Sequence, residues 1–193
     1  NFFNERLKDT FLGLDEIYTS FHWCLNFPEV FEQGGFDAIV SNPPWGASLS
    51  TELLRVWKDQ AGQFLMRLVD SFHLFILRTL ELTKNDRRAS IGLILPDVIL
   101  YQSYSSLLRK HLLSSTNLIA VSDLKNGVFK GVNRPSCVLV FSKKRNVEHL
   151  ANIYNWESCG VLGFKERNSS CRLIQESLVE FPGQIIPTTN FDE

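Results

Sequence analysis

Residues 36–45, Phe-Asp-Ala-Ile-Val-Ser-Asn-Pro-Pro-Trp, constrain the fold more than any other stretch of the chain. A short apolar strand, Phe36 to Val40, has to stop at Asn42-Pro43-Pro44-Trp45, because consecutive prolines remove two backbone donors and fix φ. The strand therefore runs into a rigid turn with an amide side chain, carbonyls held in set directions and an aromatic face. Those are the parts needed to grip a planar base by an exocyclic amino group. The Asn42 side-chain oxygen and the Pro43 carbonyl are both acceptors for such a group, and Trp45 offers a ring for stacking.

Around that turn the pattern alternates. Asn4 is placed to cap a helix carrying Leu7, Phe11 and Leu14 on one face. Phe21 to Phe27 reads as extended and aromatic, Pro28 to Phe31 as a turn or helical turn, and Gly34-Gly35 as a break before the strand. Ser48 to Ser50 suit a mobile loop. Leu65, Leu68, Val69, Phe72, Phe75, Ile76, Thr79 and Leu80 then fall at helical spacing, predicting a helix clearest over 64–82 that Lys84 to Arg88 stops. Ser90 to Leu95 is a continuous apolar strand closed by Pro96, of the kind found centrally in parallel sheets. Ser103 to Leu113 reads as a helix, and Asn117 to Leu124 and Pro135 to Ser142 as strands. No helical pattern separates those last two, so an antiparallel pair is expected. The whole is an α/β alternation. Beyond Asn146 the pattern weakens. Ligands of open α/β sheets bind beyond the carboxyl ends of the strands. The turn at Asn42 and the Pro96-Asp97 pair both fall there.

With 193 residues the chain is long enough for one buried core, and 44% hydrophobic against 21% charged residues is an ordinary globular balance. The net charge of −1 gives no general attraction for nucleic acid. A nucleic-acid enzyme of this composition needs local basic patches or a separate DNA-gripping domain. Apolar runs are too short to span a bilayer and no signal-peptide pattern is present, so no membrane partner and a cytoplasmic location are expected. Cys24, Cys137, Cys159 and Cys171 are scattered, and His22, His73, His111 and His149 form no ligand spacing. Reduced thiols and no metal site are the expectation. Asn1 is not Met, and the chain is expected to begin inside a larger protein.

The turn, with Phe36-Asp37 ahead of it, resembles the Asn-Pro-Pro-aromatic motif of DNA N6-adenine methyltransferases. Phe21-His22-Trp23, Phe27 to Phe31 and Gly34 to Asp37 are similar to the lead-in of the large restriction–modification enzymes, type IIG and BREX-like. Asp70-Ser71-Phe72 with Phe75 resembles the family's next motif, Ile94-Leu95-Pro96 its strand-ending proline, and Leu107 to Leu113 the helix after it. Phe129 to Phe141 looks like its last motif. The resemblance covers roughly residues 21–145 and implies the C-terminal half of a Rossmann-like S-adenosylmethionine-dependent methyltransferase fold, a parallel sheet with an antiparallel last strand. Residues 1–20 would be a helical lead-in and 146–193 an extension toward a target-recognition region.

For function, the resemblance implies methyl transfer from S-adenosylmethionine to N6 of an adenine flipped out of double-stranded DNA. Asn42, Pro43, Pro44 and Trp45 would form the catalytic turn. Phe129 would stack on the base opposite Trp45, and Phe75 and Asp70 would contact the cofactor. Lys125, Lys130 and Arg134, flanking Phe129, are candidates for phosphate contact. Asp37 is read as structural, orienting the turn through a hydrogen bond. One departure stands out. The glycine-rich turn after a first strand and the acidic ribose partner are absent, and Gly34-Gly35 precedes its strand. The expectation is a catalytic-half fragment, inactive alone, whose cofactor motif lies upstream in the same polypeptide. Related turns act on RNA or on protein glutamine, and a non-catalytic DNA-recognition remnant is the remaining alternative.

Overall fold

The computed structural model describes residues 21–47, 51, 55, 70–131, 133–146, 149–158 and 164–188. The helix expected within 1–20, the Ser48–Ser50 loop and Leu65, Leu68 and Val69 lie outside the described residues. The chain divides at the diglycine into two compact units, Asn1–Gly34 and Gly35–Glu193.

In the first unit, helices α1 (Trp23–Asn26) and α2 (Pro28–Glu32) follow each other directly. The extended segment expected at Phe21 to Phe27 is thus helical over Trp23–Asn26. The local reason is a cap on one carbonyl: His22 C=O accepts the amides of Leu25 and Asn26 and the Asn26 side chain at 2.7 Å. Trp23 and Phe27, four apart, stack with centroids 6.0 Å apart, as helical spacing allows. Proline opens α2, where its missing N–H costs nothing.

The second unit begins at a position only glycine can fill. Gly35 has φ +117°, and a Cβ there would lie 2.5 Å from the Leu82 carbonyl oxygen. That close approach lets Phe36 exchange backbone hydrogen bonds with Leu82 and Lys84, both 2.9 Å. Strand β1 (Ala38–Ser41) follows, then helix α3 (Ser71–Leu82), β2 (Ser90–Pro96), helix α4 (Ser106–Ser115), β3 (Asn117–Lys125) and β4 (Ser136–Ser142). Then come β5 (Leu150–Ser158), β6 (Phe164–Ile174) and helix α5 (Gln175–Glu180). The six strands form one sheet in the order β1-β2-β4-β3-β5-β6. β1 and β2 pair in parallel, as do β3 and β5, while β4 is antiparallel to both its neighbours and β6 to β5. Four of the six strands therefore point the same way, with β4 inserted against them, as the α/β reading with an antiparallel last strand expects.

One sheet face carries the core. In β2 alternate residues, Ile91, Leu93 and Leu95, are fully buried, each contributing roughly 2 kcal/mol of burial. They join Cys137, Leu139 and Phe141 of β4, and Phe72, Ile76, Leu77 and Leu80 of α3 with Leu108, Leu112 and Leu113 of α4 cover them. The opposite face is only half covered among the described residues: Ser90, Gly92 and Ile94 are half-buried, and Val40 on β1 is 87% exposed. The apolar run of β2 thus reflects a strand with two apolar faces of which one is closed.

The stretch after Asn146, weak in pattern, is tied into this unit. Gln175 is buried; its side chain accepts the Leu118 amide at 2.8 Å and donates to the carbonyls of Leu113 and Thr116 at 2.7 Å. Buried Arg109 donates to the carbonyls of Ile99, Gln102, Gly183 and Gln184. Burial pulls its guanidinium down to about 10, still far above neutrality.

Helix α3 starts later than its periodicity suggests, because Asp70 is extended (φ −95°, ψ 152°) and acts as N-cap. The Asp70 amide donates to His73 Nδ1 at 3.0 Å, so that nitrogen has no proton and Nε2 carries one. Nε2 then donates to the buried Ser105 hydroxyl at 2.8 Å. His73 is 1% exposed, and burial, first among the causes, lowers its pKa to about 4. The unfolded chain takes up this proton near pH 6.5 and the folded chain only near 4, so stability is fully present above pH 6.5 and lost as pH falls toward 4. Urea denaturation of the protein at stepped pH should show a loss of up to roughly 3 kcal/mol across that window, largely absent in His73→Gln.

Candidate functional site

The carboxyl ends of β1, β2 and β3 and the start of β4 lie along one edge of the sheet, and the connections leaving them carry the candidate residues. From β1 comes the turn Asn42-Pro43-Pro44-Trp45. Asn42 and Pro44 are exposed, Pro43 is buried and Trp45 is half-buried against the core.

The turn is held from below by the first residues of α3. Ser71 Oγ donates to the Pro44 carbonyl at 2.6 Å and accepts the Ala47 amide at 3.4 Å. Asp70 Oδ1 accepts the Gly46 amide at 2.8 Å. Gly46 supplies the left-handed backbone (φ +67°) that aims this amide downward, and a Cβ there would come within 3.2 Å of the Arg134 guanidinium. Three polar groups of the loop are thereby fixed to the helix start. The Asn42 side-chain amide and the Pro43 carbonyl are not among them, and no described residue engages either. The two acceptors singled out from sequence therefore have no hydrogen-bond partner among the described residues, Asn42 at the surface and Pro43 buried, while their neighbours are tied.

The resemblance gives Asp70 a contact with the cofactor, and the structure shows its contacts within the chain. Its carboxylate meets the loop amide and the Ser71 hydroxyl, 3.1 Å away, so it is engaged in building the turn. Phe75, on the same helix, is 42% exposed, which removes it from the core and leaves its ring available at the surface. Asp37 does not orient the turn. Its carboxylate takes the Lys84 ammonium at 2.8 Å, across the start of the strand.

From the β3–β4 connection comes Phe129, half-buried, and it meets Trp45 with ring centroids 5.8 Å apart at 77°. The structure thus brings together the two aromatics that sequence placed on opposite faces of a base. They touch edge to face, however, with no room for a third ring between them. A stacked base requires one of them to swing. Trp45 Nε1 is buried without a hydrogen-bond partner, an arrangement that costs on the order of 1–3 kcal/mol and makes this conformation of the ring easier to leave.

The basic candidates divide. Lys125 is paired: its ammonium lies 2.5 Å from the buried carboxylate of Asp123, while its own side chain is 43% exposed. Lys130 and Arg134 are exposed. At the end of β2, Asp97 accepts the Tyr101 hydroxyl at 3.3 Å, and burial pushes its carboxyl up from the ordinary range. Among the described residues no three His, Cys, Asp or Glu side chains converge as metal ligands do.

Ser71 and Gly46 carry as much of the geometry as the motif residues, and neither stands out by chemistry alone. The signal for Ser71 was present: Asp-Ser directly ahead of an apolar helix is a capping pattern.

The model of the Eco57I restriction-modification methylase family matches residues 2–129. The match starts ahead of the 21–145 range of motif resemblance and stops at Phe129, short of β4. A protein of Methanocaldococcus jannaschii, named as a candidate type II restriction enzyme and methyltransferase, is 32% identical over 125 residues. That alignment takes in 64% of this chain and 10% of the relative, so the chain spans about a tenth of the curated relative it matches. Among solved structures, the type IIG restriction endonuclease BpuSI superposes with a TM-score of 0.58 at 17% identity, over 77% of this chain and 20% of that one. A nuclease-deletion mutant of the type ISP enzyme LlaGI gives 0.54 at 18%, over 81% and 17%. The type I methyltransferase subunit from Streptococcus thermophilus gives 0.52 at 22%, over 66% and 28%. At these identities the structures speak to fold, which is the Rossmann-like fold of methyltransferases. The family match takes in both the turn at 42–45 and the helix start that pins it, and with it the chain belongs to the Eco57I restriction-modification methylase family.

Proposed function

We propose that this chain is the base-gripping half of a DNA adenine N6-methyltransferase of a restriction–modification or phage-defence system, working in the cytoplasm. The observation that carries the reading is the division of labour in the turn. Asp70 and Ser71 tie the Pro44 carbonyl and the Gly46 and Ala47 amides, and the exposed Asn42 amide and the Pro43 carbonyl before them have no hydrogen-bond partner among the described residues.

Adenine N6 is a weak nucleophile because its lone pair is shared with the ring. Two acceptors on its two hydrogens favour a more pyramidal nitrogen with the lone pair freed, and no strong base is needed beforehand. The Asn42 oxygen and the Pro43 carbonyl supply those acceptors. Their positions are set before the base arrives, so little reorganisation is spent at the moment of reaction. Trp45 and Phe129 then receive the flipped base between them once their edge-to-face contact opens. Lys130 and Arg134 are placed to meet phosphate.

S-adenosylmethionine supplies the methyl group when bound. The residues of this chain fit that group only in part. Phe75 offers a ring, but no glycine-rich turn follows a strand among the described residues, and Asp70 is engaged in the loop. The rest of the cofactor site is assigned to preceding sequence of the same polypeptide. β1 has a single paired edge among the described residues, and its other edge is where further strands would add. The chain by itself is expected to be inactive. Target choice is assigned to a recognition domain elsewhere.

Nucleosides from cells expressing the full-length protein test the reading. N6-methyladenine should appear in DNA with the wild type and vanish with Asn42→Ala, a loss of at least about a hundredfold in turnover if the amide acts as a preset acceptor. Methylation that persists in Asn42→Ala, or label that goes to RNA or to protein glutamine, would overturn it. Phe129→Ala should weaken productive binding of DNA by ~1–3 kcal/mol, and Phe129→Tyr should retain most of it, measured as kcat/KM on unmodified DNA.

A further inference from the structure

The path from β3 to Phe129 is fixed by a buried carboxylate. β3 ends in an irregularity: Asp123 lies opposite Cys137 and Lys125 opposite Ser136, so Leu124 is an extra residue in the strand. Lys125 has φ +59°, a left-handed backbone that costs a non-glycine residue on the order of 1 kcal/mol and turns the chain into the connection carrying Phe129. Asp123 holds that conformation. Its Oδ1 accepts the Lys125 amide at 3.3 Å, and its Oδ2 accepts the Lys125 ammonium at 2.5 Å.

A third donor reaches the same carboxylate from far along the chain. Thr188 Oγ1 donates to Asp123 Oδ2 at 2.6 Å. Thr188 is brought there by a segment anchored just before it, through the Arg109 bonds to the Gly183 and Gln184 carbonyls and the Ile186 amide on the Leu100 carbonyl at 2.9 Å. Ile186 itself is buried. The segment around Thr188 thus touches the carboxylate that holds the start of the Phe129 connection.

We propose that Asp123 is a positioning residue for the Trp45–Phe129 pair, and that Thr188 makes the placement of that pair depend on the C-terminal segment; its bearing on catalysis rests on the base-gripping reading above. A protein partner or domain that pulled on the segment would loosen the aromatic pair with no contact to it. The carboxylate meets neither base nor cofactor and acts through the backbone of residues 125–129.

Thr188→Val in the full-length protein removes one donor at nearly constant shape. Hydrogen exchange of the backbone amides at 126–131 should rise roughly tenfold, the factor expected for losing one hydrogen bond to a buried carboxylate, while the amides of β2 keep their protection. KM for genomic DNA from an unmodified host should rise about fivefold with kcat changed by less than about twofold, and Thr188→Ser should restore both. Asp123→Asn should loosen the same amides further than Thr188→Val. Unchanged exchange at 126–131 in both variants overturns the proposal, and so does exchange that rises equally in β2, which would make the contact one of general stability. If the connection loosens as expected but the wild type methylates no DNA, Asp123 still positions the aromatic pair and the base-gripping reading is what falls.

Discussion

Ser71 sits at the point on which the site depends. Its hydroxyl is donor to one proline carbonyl of the turn and acceptor for an amide two residues beyond Trp45, while Asp70 beside it takes the amide between. Two prolines stiffen the turn internally, but stiffness alone does not aim it. The aim comes from the start of α3, and that start is itself fixed by a neutral histidine whose one ring proton is given to Ser105. Burial of His73, capping of the helix and direction of the turn are one connected arrangement. Replacing any member disturbs the others.

The same arrangement decides which groups remain for chemistry. A loop whose polar atoms were all satisfied would be inert, and one with none satisfied would be mobile. Here the Pro44 carbonyl and the Gly46 and Ala47 amides are tied to the helix start, and the Asn42 side-chain amide has no partner among the described residues. The second aromatic arrives from a distant strand connection, and the sheet order places it beside the first because β4 is inserted between β2 and β3. The edge-to-face contact of Trp45 and Phe129 closes the space between the two rings.

Much of this was legible in the residues. The strand at 36–40, the stop at the prolines, the apolar strand before Pro96 and the antiparallel pair of the last two predicted strands each follow from a local pattern and agree with the sheet. The features that were not legible depend on partners far away in sequence. Asp123 reads as an ordinary strand-end carboxylate until Thr188, 65 residues further on, is found on it. Asp70 reads as a ligand-binding carboxylate until the Gly46 amide is found on it. Leu150 to Ser158 carries no strong apolar run, and it becomes a strand through parallel pairing with β3, a contact no local pattern announces. The helix at Trp23–Asn26 was missed because aromatics favour extended chain on average, and a single capped carbonyl outweighs that preference.

A double-mutant cycle between Ser71 and Asn42 tests the aiming of the turn most directly. The quantity measured is kcat for methyl transfer to DNA by the full-length protein. If Ser71 acts by holding the turn so that the Asn42 oxygen points at the base, Ser71→Ala should cost about tenfold in the native background and less than about twofold in the Asn42→Ala background. Equal costs in the two backgrounds would contradict the account, because the hydroxyl and the amide would then act independently.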